Sequence, residues 1–79
     1  MEKNIKQKME ILTEQEINIL KLILMGYTTT QIGKMLYISQ HTVKVHVSAI
    51  LRKLGARNRA HAAFIALDKG IINLKSLHI

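Results

Sequence analysis

Ile38-Ser39-Gln40-His41-Thr42-Val43-Lys44-Val45-His46-Val47-Ser48-Ala49-Ile50-Leu51-Arg52-Lys53-Leu54-Gly55 decides the fold. From Val43 to Val47 valine alternates with polar residues, the pattern of a half-buried strand. The longer window overrules it. Val43, Val47, Ile50, Leu51 and Leu54 fall at i, i+4, i+7, i+8 and i+11, which is one face of a helix. Ser39 offers a capping hydroxyl before the run and Gly55 a left-handed stop after it, so a helix is predicted over 40–54. Val45 is left over on the opposite side with His41, Ser48 and Arg52, and Lys44 stands on one shoulder.

Working outward, the same signals recur. Thr13 has Glu16 three residues on, and Thr28 has Gln31 in the same relation, two capping boxes. Gly26 and Gly70 follow apolar runs as helix stops, and Asn58 caps the last helix. Four helices are predicted, roughly 14–25, 29–36, 40–54 and 59–69, giving an all-α domain. The second is short, with Ile32, Met35 and Leu36 as its apolar stripe. Gly33 in its middle costs about 0.5–1 kcal/mol relative to alanine, which is useful only where two helices cross closely. Leu36-Tyr37-Ile38-Ser39 is then a tight turn in which Ile38 plugs the angle between helices. Tyr37 either bonds a phosphate or simply lies on the surface. Residues 1–11 read as a basic arm or a short helical extension, 12–72 as the domain and 73–79 as a tail. Ile71 and Ile72 should close over the core, and the rest of the tail should fray.

Charge narrows the partner. The chain of 79 residues has 12 Lys and Arg against 5 Asp and Glu, a net charge of +7. Between Ile17 and Leu67 there is no acid at all, while Lys21, Lys34, Lys44, Arg52, Lys53, Arg57 and Arg59 lie inside that block. A soluble surface ordinarily mixes both signs, so a one-signed field points to a polyanionic partner. Cysteine is absent, which removes disulfides and thiolate metal sites and fits a reducing cytoplasm. The N-terminus lacks the apolar run of a signal peptide, and no stretch approaches the ~18 apolar residues of a membrane span.

Leu12-Thr13, Glu16, Ile19-Leu20, Gly26, Thr28, Ile32, Ile38-Ser39, Thr42-Val43-Lys44, His46-Val47, Ile50-Leu51, Lys53-Leu54 and Arg57-Asn58-Arg59 resemble the LuxR-type, or GerE-like, helix-turn-helix domain. The resemblance covers roughly residues 12–72. It implies a four-helix DNA-binding domain, found as the output half of NarL/FixJ-type response regulators and as the whole of small GerE-type regulators. Its third helix would enter the major groove and its fourth would mediate dimer contact. The partners it implies are double-stranded DNA and a second copy of the chain, with RNA polymerase as a further candidate. Either the chain stands alone, as Met1 and the family's short members suggest, or it is a C-terminal fragment of a longer regulator.

By this resemblance Lys44, Val45 and Ser48 match the family's base-reading positions, and His41 shares their face. Lys44 can donate to guanine O6 and N7, and Val45 can pack on a thymine methyl. Ser48 is short, so its contact would run through water. Phosphate contacts are expected from Ser39, Gln40, Thr42, Lys34, Arg52, Lys53, Arg57 and Arg59. Arg52 and Lys53 also have a plainer reading, as complements to the helix dipole at about 0.3–1 kcal/mol each. The fourth helix is rich in alanine, and self-association through Ala63, Phe64 and Leu67 is expected, against core packing alone. Ile17 and Leu24 form an extra apolar patch for the N-terminal arm or a partner domain.

Glu16 is read as a capping residue in a buried pair, and His46 as sitting at the core's edge. His41 and His46 are five apart, the wrong spacing for one metal on one helix face. No metal, cofactor or membrane partner is expected, and no catalytic set can be assembled. A helix-turn-helix module used for protein–protein interaction is the alternative function. A membrane-surface role for Lys3, Lys6 and Lys8 lacks the bulky apolar face it needs.

Overall fold

The computed structural model describes residues 11–77, with the side chain of Ser76 outside that description. Four helices follow in order: α1 (Glu14–Leu24), α2 (Thr29–Leu36), α3 (Gln40–Leu54) and α4 (Arg59–Asp68). The last two described turns hold a 3-10 segment, Leu74–Leu77. The proposed arm, 1–11, lies almost wholly outside the described residues.

Each helix starts where its cap predicts. Thr13 and Glu16 close a full capping box on α1, and Thr28 and Gln31 do the same on α2. The Ser39 hydroxyl accepts the Thr42 N–H at 3.0 Å, and the Asn58 side chain accepts the His61 N–H at 2.8 Å. Two helix ends fall one residue earlier than expected. Met25 and Lys69 are caps rather than helical residues, and the left-handed glycines follow them.

The core is built around α3, which packs against α1, α2 and α4 in turn. Ile19 and Leu20 of α1, Ile32 of α2, Val43, Val47 and Ile50 of α3, and Ala62 and Ala66 of α4 are buried, with Leu12 and Ile72 closing the ends. Full burial of a Val, Leu or Ile side chain is worth about 1.5–3 kcal/mol. The apolar face of α3 therefore fixes its orientation, and the opposite face has no choice but to look outward. Ile17 and Leu24 are half-buried and pack against this core, so the patch read from sequence is largely its rim. Leu77 also packs on the core, so the described part of the tail, 73–77, folds back through its 3-10 turn instead of fraying after Ile72.

The α2–α3 turn is tight at Gly33. A Cβ added to Gly33 would lie 2.8 Å from the Ile38 carbonyl oxygen, inside any van der Waals limit. The Gly33 carbonyl accepts the N–H of Tyr37 and, at 2.9 Å, that of Ile38, which ties off the end of α2. Between them Tyr37 takes φ 60°, ψ 41°, the left-handed region, at a cost of about 1–2 kcal/mol for a residue with a Cβ.

Candidate nucleic-acid interface

His41, Lys44, Val45, Ser48 and Arg52 form one exposed stripe along α3, opposite Val43, Val47 and Ile50. Val45 is 53% exposed, large for a valine on a helix whose other face is dry. The stripe combines two cations, a hydroxyl, an imidazole and one isolated apolar side chain, and holds no carboxylate. At 15 residues the helix is about 22 Å long and carries a side chain set suited to reading base edges.

Around it the predicted outer ring divides. Ser39, Gln40, Lys34 and Arg57 are exposed, and Thr42 is half-buried. The Ser39 hydroxyl donates to Thr42 Oγ1 at 3.0 Å while holding the helix start, so both side chains are positioned by the cap. Arg59 reaches across to the Thr29 hydroxyl and links the start of α4 to the start of α2. Arg52 is exposed and engaged in an interaction of its own.

Lys53 goes elsewhere. Its ammonium lies 2.8 Å from Glu16 Oε1 and 3.5 Å from the Ile11 carbonyl, on the α1 side of α3. The same Glu16 oxygen accepts the Thr13 N–H at 2.9 Å. Burial by itself would raise the Glu16 carboxyl, but the hydrogen bonds from Lys53 and Thr13 and the Lys53 charge outweigh it and hold the group below the usual carboxylate range. Glu16 is thus the buried-pair residue read from the sequence, and its partner is a lysine assigned there to the phosphate ring.

Sequence reading also missed His61. Its Nδ1 accepts the Arg57 N–H at 3.0 Å, so it braces the loop into α4 while Asn58 caps the helix. A histidine three residues after an asparagine cap was the available signal. Of the expected self-association residues, Phe64 is 62% exposed, Ala63 is half-buried, and Leu67 packs against the core. Among the described residues no cluster of three His, Asp or Glu is placed to hold a metal, and no helix is long and apolar enough to cross a membrane.

A four-helix domain with a cap-started α3, a locked turn before it and a carboxylate-free outer stripe defines a helix-turn-helix DNA-binding domain of a transcription regulator. The model of the family described as bacterial regulatory proteins, luxR family, matches residues 10–66, and the chain belongs to that family. It is 37% identical over 70 residues to the transcriptional regulatory protein DegU of Brevibacillus brevis, covering 89% of this chain and 30% of that protein. It is 41% identical over 59 residues to the nitrate/nitrite response regulator protein NarP of Escherichia coli, covering 75% of this chain and 27% of NarP. The chain thus spans under a third of the length of these relatives. The solved structure of the transcription factor GerE superposes with a TM-score of 0.77 at 35% identity, over 82% of this chain and 97% of that one.

Proposed function

We propose that the chain binds double-stranded DNA in a sequence-specific manner as a homodimer, with α3 in the major groove. The observation that carries this is the two-sided character of α3: Val43 and Ile50 are fully buried while Lys44, Val45 and Ser48 stand exposed on the other side. The N-terminal half of such a helix meets base edges in helix-turn-helix proteins. Lys44 is the hydrogen-bond donor to guanine, Val45 the contact to a thymine methyl, and Ser48 and His41 the flanking readers. Ser39, Gln40, Thr42, Lys34, Arg52, Arg57 and Arg59 form the phosphate ring. Lys53 is left out of it because Glu16 holds its ammonium.

Residues 12–72 constitute the binding unit, and self-association runs through Ala63, Phe64 and Leu67. Two recognition helices on a two-fold axis read half-sites about one helical turn apart. The protein works where bacterial DNA is, in the cytoplasm, as a regulator of transcription that recruits or blocks RNA polymerase.

Selection of duplexes from a random library, followed by titration at two salt concentrations, tests the reading. A shared motif should emerge, and Lys44→Ala should flatten the preference at one base by about 1–3 kcal/mol while leaving helicity intact. A library that returns no motif, or a Lys44→Ala protein with the full preference, would overturn it.

A further inference from the structure

We infer that Tyr37 is a DNA-backbone contact, working with Lys34 to bracket one phosphodiester at the edge of the groove that α3 enters. The inference rests on the DNA-binding reading and adds a residue which that reading leaves unused.

Tyr37 is the one non-glycine residue with positive φ among those described. The conformation is imposed on it. Gly33 and Ile38 meet so closely, and the Gly33 carbonyl takes both following N–H groups so firmly, that the turn has no slack to relax. Glycine would meet this backbone demand without strain. The tyrosine side chain returns nothing to the fold in exchange, since it is 93% exposed and its hydroxyl bonds no described residue. A strained position whose side chain faces only solvent answers to something outside the chain.

The surroundings state the chemistry of that partner. Tyr37 lines an open cleft with Thr30, Lys34 and Gln40, floored by Gly33 and Ile38. Its walls offer a cation, two hydroxyls and a carboxamide, with no carboxylate. That set suits an anion with several acceptor oxygens, and a phosphodiester adds a sugar against which the ring can lie. The cleft opens at Gln40, the first residue of α3, beside the turn that bears Lys44 and Val45. A phosphate held here would fix the register of those two side chains on the bases. Because the backbone at Tyr37 is already locked, little main-chain entropy is lost when the contact forms.

The test uses Tyr37→Gly, Tyr37→Phe and the unaltered protein on a fluorescein-labelled mixed-sequence duplex about three helical turns long, followed by fluorescence anisotropy. Tyr37→Gly should melt at the same temperature or higher and yet bind about tenfold more weakly, with an unchanged salt slope because no charge is lost. Tyr37→Phe keeps the ring and should lose about three- to tenfold. Undiminished binding by Tyr37→Gly overturns the assignment while leaving the DNA reading in place. A lowered melting temperature that accounts for the weaker binding would make Tyr37 a structural residue and overturn it too. Failure of the unaltered protein to bind duplex at low salt removes the DNA reading itself.

Discussion

The Lys53 ammonium sits 2.8 Å from Oε1 of Glu16, and that oxygen also accepts the Thr13 N–H. One atom thus joins the cap of α1 to the last turn of α3, with side-chain exposures of 6% for Glu16 and 14% for Lys53. Removing one partner leaves the other charge stranded in a dry place, which costs more than the pair contributes when whole. Glu16→Gln keeps an acceptor for Thr13 and should lose about 2–3 kcal/mol. Lys53→Met keeps the apolar stem and should lose somewhat less. The double substitution should lose at least about 1 kcal/mol less than the two singles together. Urea denaturation of the four proteins measures this, and strictly additive losses would show that the pair carries no coupling.

The same pair sets an acid limit on stability. Lys53 and Thr13 hold the Glu16 carboxyl below its ordinary value in the folded state, against the opposing effect of burial. The unfolded group titrates near 4.3 or so. A depressed folded value gives stabilisation that is complete above the unfolded pKa and is lost as pH falls through the folded one. The melting-temperature gap between the unaltered protein and Glu16→Gln should therefore stay constant from about pH 7 to 5 and shrink below roughly 4.3. A gap that widens towards acid would reverse the sign and refute the account.

Gly33 tests the turn from the other side. Alanine there gains up to about 1 kcal/mol of helix propensity, but its Cβ would stand 2.8 Å from the Ile38 carbonyl oxygen. That neighbour is backbone, held by the start of α3, and cannot swing aside as a flexible side chain would. Overpacking of this kind costs about 1–3 kcal/mol, so the clash outweighs the propensity. Gly33→Ala should melt about 5 °C or more below the unaltered protein. An unchanged or raised melting temperature would mean that the α2–α3 angle opens freely.

The helices were legible because their signals are local. A cap, an i, i+4, i+7 stripe and a trailing glycine all lie within one run of chain, and α3 was placed to the residue. The ends of α1 and α4 slipped by one because the residue before each glycine is already a cap, a distinction of backbone angle that side chains do not announce. The pairing of Lys53 with Glu16 was not legible, for a different reason. In the run Arg52-Lys53 the two cations look alike, and what separates them is a carboxylate 37 residues away. A hint was present, since Lys53 follows Ile50 by three and so flanks the buried stripe, whereas Arg52 follows Val45 by seven on the exposed one. The turn was legible from Gly33, but the left-handed backbone of Tyr37 emerges only once the crossing of α2 and α3 is fixed.

Salt dependence tests the proposed phosphate ring and the exclusion of Lys53 from it. Each neutralised phosphate contributes about 0.9 to the slope of log affinity against log salt. Lys34 and Arg57 are exposed and belong to the proposed ring, so Lys34→Ala and Arg57→Ala should each lower the slope by about that amount and weaken binding equally on all sequences. Lys53→Met removes one positive charge as well, but from a group already committed to Glu16. Its slope should match that of the unaltered protein. If Lys53→Met lowers the slope as Lys34→Ala does, the ion pair opens on DNA and Lys53 returns to the ring.

Phe64 makes the sharpest test of self-association. It is 62% exposed on α4, so a polar replacement leaves the core of the single domain intact. Leu67, a second expected interface residue, lines a cleft with Gly70, Ile72, Asn73 and Leu74, and Leu74 is itself largely exposed. A two-fold interface uses each residue twice, so burying the exposed part of Phe64 in both copies would contribute about 2–4 kcal/mol to the pair. Phe64→Glu should then weaken dimerisation by 100-fold or so at least, with the melting temperature of the monomer little changed. Sedimentation equilibrium across a concentration series reads this directly. Identical profiles for the unaltered protein and Phe64→Glu would move the interface off α4, and the spacing of half-sites would then have to be set by another surface.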